Sequence, residues 1–212
     1  GMNTATSEIL IDTIVKAITS FALYGFPESH AASFALIAYA SAYLKSHYLA
    51  AFTAAILNNQ PMGFYSALTL VKDAQRHGLH FLPVDVEQSQ WPCSIEGRDG
   101  QLAVRLGFNY VKGFRCQTAE AIITERAQFS FASIDDLRRR VPRLSKDELK
   151  TLADLGALNP IGQQARHRRD ALWQSELALR AVGELLVSAV PPEVPSPLRP
   201  MNPVERLQAD FA

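Results

Sequence analysis

Val111-Lys112-Gly113-Phe114-Arg115, placed just before a stretch that carries Ala119, Ile122 and Ile123, is the most informative short passage of this 212-residue chain. A glycine at that point allows a tight turn between two helical segments, and such a turn leaves main-chain amides and a helix N-terminus at the surface. With Lys112 and Arg115 on either side, the arrangement suits a phosphate group, which is recognised by amide donors, positive helix ends and cations. The plain alternative is a helical hairpin in which Gly113 only closes the loop and both cations are solvated.

Leu155-Gly156-Ala157-Leu158-Asn159 repeats the device farther along, after a helical run at 147–154, and is again followed by cations, Arg166, Arg168 and Arg169. Two such units suggest a pseudo-duplication. A pair of hairpins of this kind can hold the two backbones of a duplex across its minor groove, without reading base sequence. The cluster Arg138, Arg139, Arg140 and Arg143 invites the same interpretation, but Asp135 and Asp136 stand three and four positions before several of them, so a salt-bridged surface helix is the better reading.

Beyond these turns, composition sets limits. Apolar residues are 48% of the chain and charged residues 20%, which excludes disorder throughout and allows one large domain or two small ones. Basic and acidic residues number 21 each, so any attraction to a polyanion must come from local patches. Residues 91–165 hold eleven basic against nine acidic side chains, whereas residues 1–90 hold four against six. Cys93 and Cys116 lack the close pairing of a zinc or redox motif and are too few for a disulfide framework, which points to a reducing cytoplasm. The most apolar run, 31–44, contains Ser33 and Ser41 and ends at Lys45 and His47; it is shorter than the roughly 20 residues of a membrane span and reads as a buried helix. No secretory-signal pattern opens the chain, and Gly1 ahead of Met2 reads as a residue added before a start.

Ile11, Ile14, Val15, Ile18, Phe21 and Ala22 follow the spacing of one buried helical face, broken by Gly25 and Pro27. A second helix begins near Ser29, and a third, 64–77, ends at Gly78. From Leu79 onward apolar residues sit among prolines, and the turn signal Gly97-Arg98-Asp99-Gly100 pairs 94–96 with 102–106 as a short hairpin. Short helices follow at 116–126, 133–140 and 145–154, then a longer one at 167–187. The segment 191–203 carries six prolines and reads as a linker, with 205–211 beginning another element.

Ser29 reads as an N-cap that places His30 in the first helical turn, near the positive helix end where an anion is favoured; simple capping is the alternative. Neither residue has an evident third partner for nucleophilic catalysis. The sequence lacks a phosphate loop, a dinucleotide glycine fingerprint, a helical histidine pair with an intervening glutamate, and a close acidic pair on a strand of the kind that holds two metal ions.

Tyr24-Gly25-Phe26-Pro27-Glu28-Ser29-His30-Ala31-Ala32-Ser33-Phe34-Ala35, continued through Tyr43-Leu44-Lys45-Ser46-His47-Tyr48, resembles the fingers region of bacterial C-family DNA polymerases of the alpha-subunit type. Leu57-Asn58-Asn59-Gln60-Pro61-Met62-Gly63-Phe64-Tyr65 is similar to the error-prone, damage-inducible branch of that family. The resemblance runs from about Thr13 to Trp173, because Arg76-His77-Gly78, Pro83-Val84-Asp85, Trp91, Arg105-Leu106-Gly107 and Arg168-Arg169 before Ala171-Leu172-Trp173 keep the same order.

The resemblance implies a mainly α protein: a partial fingers domain at 1–79, a connecting segment with a short β-hairpin at 80–106, a tandem helix-hairpin-helix domain at 107–188, and a proline-rich tail at 189–212. It implies contacts to double-stranded primer-template DNA from Val111, Lys112, Gly113, Phe114, Arg115, Gly156, Ala157, Arg166, Arg168 and Arg169, and it places Ser29 and His30 near the triphosphate of an incoming deoxynucleotide. The sequence departs from the family at Arg115, where a second hairpin glycine is usual, and at Glu28, where replicative relatives commonly carry a cation. The family's catalytic carboxylates belong to a palm N-terminal to every residue here, so no catalytic residue, metal site or cofactor is expected in this chain, and Mg2+ belongs to the intact polymerase. The implied role is a cytoplasmic, non-membrane piece of a polymerase that copies past damage. If Met2 is the start, the gene encodes a truncated or split polymerase. The rivals are an adaptor that docks other mutagenesis proteins without touching DNA, and a hydrolase or transferase built on Ser29 and His30.

Overall fold

In a computed structural model the chain is described over residues 4–23, 28–98, 100–162, 167–179 and 196–211. It divides into two compact units, Gly1–Leu49 and Ala50–Ala212.

The first unit contains helices α1 (Thr4–Leu23) and α2 (Glu28–His47). Neither helix has glycine or proline in its interior, and Lys45 and His47 in the last turn of α2 complement its negative end. The expectation of a buried face is corrected here. Ile11, Ile14, Val15 and Ile18 on α1 are exposed, as are Phe34, Ile37 and Leu44 on α2, so 31–44 is helical without being buried. Helical spacing identifies a face that gains by leaving water but not the segment that covers it. Among the described residues of this unit, none does.

The second unit opens with α3 (Leu49–Asn58), which apolar spacing alone does not separate from α2. Ala50, Thr53, Ala54 and Leu57 form its buried face. Its C-terminal end is fastened by side chains from afar. Asn58 Nδ2 donates to the Cys93 carbonyl at 2.9 Å, and the Cys93 amide donates to Asn58 Oδ1 at 2.7 Å. Tyr110 Oη donates to the Leu57 carbonyl at 2.8 Å. The last bond satisfies a carbonyl that a helix end leaves without a partner, and the other two pair the Cys93 backbone with a side chain of α3. Helix α4 (Ala67–Arg76) starts later than its apolar run, because Ser66 caps it by accepting from the Thr69 amide; it stops before Gly78, where φ is 87°.

The expected hairpin is present as β2 (Ser94–Arg98) against β3 (Gln101–Arg105), antiparallel with Ser94 opposite Arg105. A third strand, β1 (His80–Leu82), joins β3 in parallel, giving the order β1-β3-β2. Three residues are too few for alternation to reveal a strand in sequence. Arg105 on β3 forks onto Glu96 of β2 and donates to the Pro83 carbonyl at 3.0 Å, which ties the sheet to the segment that follows β1.

Gly107 ends the sheet where two backbones touch. Phe108 donates to the Gln90 carbonyl at 2.9 Å and Asn109 to that of Trp91 at 3.0 Å. A 3-10 turn, Phe108–Tyr110, then leads into α5 (Cys116–Gln128), α6 (Ile134–Arg140), α7 (Lys146–Asp154) and α8 (Arg168–Ala178). Ser133 and Ser145 are caps of α6 and α7 rather than helical residues. Phe108, Ile122, Phe131, Leu137, Leu152 and Leu158 are fully buried in one apolar cluster that joins these helices. Residues 180–187 of the expected long helix lie outside the described residues. Helix α9 (Pro203–Phe211) follows the proline-containing segment.

Candidate nucleic-acid interface

Between the 3-10 turn and α5, Val111 and Phe114 point into the core and Lys112 and Gly113 face solvent. The inward pair anchors the turn: Phe114 stacks on Phe108 with ring centroids 5.4 Å apart, and its amide donates to the Val111 carbonyl at 3.1 Å. Gly113 has φ 74°, a left-handed backbone that a side chain resists, and no atom lies within 4 Å of where a Cβ would stand. Among the described residues the amides of Lys112 and Gly113 meet no hydrogen-bond acceptor, and Lys112 makes no ion pair. The turn therefore presents two open N–H groups beside a free cation.

Arg115 is arranged differently. Its Nε lies 2.9 Å from Glu148 Oε1, its Nη2 2.7 Å from Glu148 Oε2, and its amide donates to Oε1 at 3.1 Å. Nη2 also donates to the Arg143 carbonyl at 2.7 Å. The side chain is 59% exposed, yet its charge is directed at a carboxylate with only 5% exposure. Glu148 further accepts from Thr118 Oγ1 at 3.1 Å and from the Ser145 amide at 3.0 Å. It thus completes the capping box of α7 and at the same time caps the start of α5. Burial would push its carboxyl up, but the Arg115 guanidinium and the Ser145 and Arg115 amides prevail and hold it down to about 2. The positive end of α5 is already answered by this carboxylate, so the part of the turn left open to an anionic ligand narrows to Lys112 and Gly113.

The second glycine turn is built unlike the first. Gly156, with φ 76°, follows the last turn of α7; its amide donates to the Ala153 carbonyl at 3.0 Å, and the Ala157 amide donates to that of Leu152 at 2.9 Å. This pair of bonds is a Schellman closure. Ala157 is fully buried and its carbonyl accepts from the Val86 amide at 3.0 Å. The amides of Gly156 and Ala157 are therefore occupied in ending the helix, and Gly156 is half-buried.

Arg168 and Arg169 open α8, with His167 as its cap. Arg168 Nη1 lies 2.7 Å from Asp210 Oδ1, and Arg169 Nη2 3.2 Å from Glu205 Oε1, both acids belonging to α9. Arg166 lies outside the described residues. The arginines of α6 are paired as their spacing predicts: Arg139 with Asp135 at 3.1 Å, and Arg140 with Asp136 at 3.5 Å and Glu125 at 3.3 Å. Arg138 instead reaches the Ala178 carbonyl of α8.

In the first unit Ser29 and His30 are exposed in the first turn of α2. The helix begins at Glu28, so Ser29 is within it and is not its cap; its carbonyl accepts from Ser33 Oγ at 2.7 Å. The His30 ring stands edge-on to Phe34, with centroids 4.5 Å apart. Among the described residues no group of three or more His, Cys, Asp or Glu is placed to hold a metal ion, and no helix is long and apolar enough to cross a membrane.

Sequence comparison places this geometry. Residues 78–171 match the model of a helix-hairpin-helix motif, a range that contains both glycine turns, Glu148 and the first turn of α8. An error-prone DNA polymerase of Anaeromyxobacter sp. (strain K) is 46% identical over 209 residues, 95% of this chain and 18% of that protein. The chain is homologous to error-prone DNA polymerases. The counterpart from Ralstonia nicotianae is 43% identical over 208 residues, and that from Burkholderia mallei 48% identical over 173, covering 19% and 16% of those proteins. The chain thus spans less than a fifth of the length of these curated relatives. Glu148 and the acids of α9 are residues of this region that motif reading passes over; the Ser145-to-Glu148 spacing is the one sequence signal that marks Glu148.

Proposed function

We propose that this segment supplies sequence-independent duplex DNA binding to an error-prone DNA polymerase, with the Lys112–Gly113 turn against the phosphate backbone. The observation that carries the reading is the solvent-facing left-handed turn itself, with two open amides and an unpaired lysine inside the helix-hairpin-helix match. Val111 and Phe114 hold the turn from beneath, and Gly156 and Ala157 act by ending α7 rather than by offering amides to DNA. In the intact polymerase the partner is a primer-template copied past damage, and Ser29 and His30 on the first turn of α2 face the triphosphate of the incoming deoxynucleotide. On this reading Mg2+ and the transfer step belong to other parts of the intact polymerase.

Few phosphates are contacted by a molecule of zero net charge, so affinity is weak and salt-dependent, about 10⁻⁴ to 10⁻⁶ M near physiological salt. A mixed-sequence duplex titrated at several salt concentrations tests it. Lys112→Ala should weaken binding at every sequence and reduce the salt slope by about one. Unchanged affinity and slope would remove the turn from the interface. A second reading, docking to other mutagenesis proteins, draws on the exposed apolar faces of α1 and α2. Co-purification with such partners and no duplex binding at low salt would favour it.

A further inference from the structure

Helix α9 meets the two arginines that open α8 almost wholly through charge. Asp210 Oδ1 takes Arg168 Nη1 at 2.7 Å and Glu205 Oε1 takes Arg169 Nη2 at 3.2 Å, while Arg169 Nη1 donates to the Arg199 carbonyl at 3.3 Å. Glu205 is aimed by its own helix start: its amide donates to Asn202 Oδ1 at 2.8 Å and its Oε2 accepts from the Asn202 amide at 2.9 Å, a reciprocal cap that leaves Oε1 for Arg169. Among the described apolar side chains of α9, Val204 is 64% and Leu207 60% exposed. Arg168, by contrast, is left only 18% exposed. A contact made through partly exposed ion pairs is weak and sensitive to ionic strength.

We propose that α9 is an acidic cover over a phosphate site: Glu205 and Asp210 stand where duplex phosphates would sit, and Arg168 and Arg169 contact DNA only when α9 leaves. This rests on the duplex-binding reading. A carboxylate pair and a pair of phosphate oxygens offer the same charge-assisted acceptors to a guanidinium, so the two ligands are mutually exclusive. The covered form binds duplex through Lys112 and Gly113 alone. The uncovered form adds two phosphate contacts, and with them a steeper dependence on salt.

The test is a double-mutant cycle on the full chain with a mixed-sequence duplex. Glu205→Gln with Asp210→Asn keeps shape and removes the acids. It should tighten binding about tenfold and increase the salt slope by about two. Neutralising two acids raises affinity by simple charge as well, so the deciding quantity is the loss caused by Arg168→Ala with Arg169→Ala in each background. The cover requires a small loss in the native background and a loss of about tenfold in the Gln/Asn background. Equal losses in both backgrounds, with duplex binding intact, would overturn the cover and leave the Lys112–Gly113 interface standing. Absence of duplex binding by every form at low salt would overturn both. Amide hydrogen exchange supplies a readout independent of affinity: exchange in α9 should quicken when duplex is added, and unchanged exchange in a duplex-saturated sample would overturn the proposal.

Discussion

Arg115 and Glu148, on the two hairpins of the second unit, form a forked pair in which Nε and Nη2 meet the two carboxylate oxygens at 2.9 and 2.7 Å. The arginine stands where the family's hairpin usually has a second glycine. A side chain there adds bulk on the outer surface of the turn, but the charge it brings is turned inward to a carboxylate that caps two helices at once. The register between α5 and α7 is supported by this ionic contact, by the Thr118–Glu148 bond and by the apolar cluster beneath them.

Acid should loosen that register. Glu148 titrates at about 2 in the folded protein, below its ordinary 4.5, so its pairing contributes stability above pH about 4.5, and the contribution is lost as pH falls through about 2. At neutral pH it is on the order of 3 kcal/mol, because a tenfold change in proton affinity corresponds to about 1.4 kcal/mol. Glu148→Gln removes the pairing at any pH. Urea unfolding of both proteins should therefore give a stability gap that is full at pH about 6 and narrows steadily towards pH about 2.5. A gap of constant size across that range would show that the carboxylate charge does not hold the hairpins together.

Lys112 and Arg115 are three positions apart in sequence but should separate cleanly in experiment. Lys112→Ala removes an exposed, unpaired cation, which leaves the melting temperature unchanged and lowers duplex affinity. Arg115→Ala leaves the buried Glu148 carboxylate without its counter-charge and should lower the melting temperature by several degrees. Thermal unfolding and a duplex titration on the two variants decide the matter. Equal loss of affinity with equal stability would mean that Arg115 is a phosphate ligand after all.

The elements most legible in sequence are those fixed by local chemistry. The short helices α6 and α7, the acid-arginine spacing on α6, the glycine turns at 113 and 156 and the β2–β3 hairpin are each specified within a few residues. What sequence does not show depends on partners far along the chain. Asn58 finds Cys93, Arg115 finds Glu148, and Arg168 finds Asp210, at separations that no local pattern encodes. The two glycine turns look alike as sequence because left-handed backbone is needed in both, yet one opens its amides to solvent and the other uses them to end a helix. Exposure of α1 and α2 has the same origin, since a stripe of isoleucines specifies a demand for cover and not its source.

Asn58→Ala should detach the end of α3 from the strand segment. The side chain acts as a substitute strand neighbour for Cys93, donating to its carbonyl and accepting from its amide. Its loss leaves two part-buried backbone groups without partners, about 1 to 3 kcal/mol. The expected sign is faster hydrogen exchange at the Cys93 amide together with reduced stability; protection of that amide at the native level would contradict the role given to Asn58.

Gly107 and Gly113 give the last contrast, because they are glycines for different reasons. At Gly107 φ is −84°, which any residue adopts, but a Cβ would stand 2.3 Å from the Trp91 carbonyl oxygen and 2.4 Å from the Pro92 carbonyl carbon. Both atoms are backbone, and they lie beside the bonds from Phe108 and Asn109 that join the two segments. Gly107→Ala must push those segments apart, at about 3 kcal/mol or more. At Gly113 the surroundings are empty and only the left-handed backbone resists a side chain, so Gly113→Ala should cost about 1 to 2 kcal/mol. Denaturant unfolding ranks the two, and a Gly113 variant less stable than the Gly107 variant would show that the close approach at Trp91 relaxes without cost.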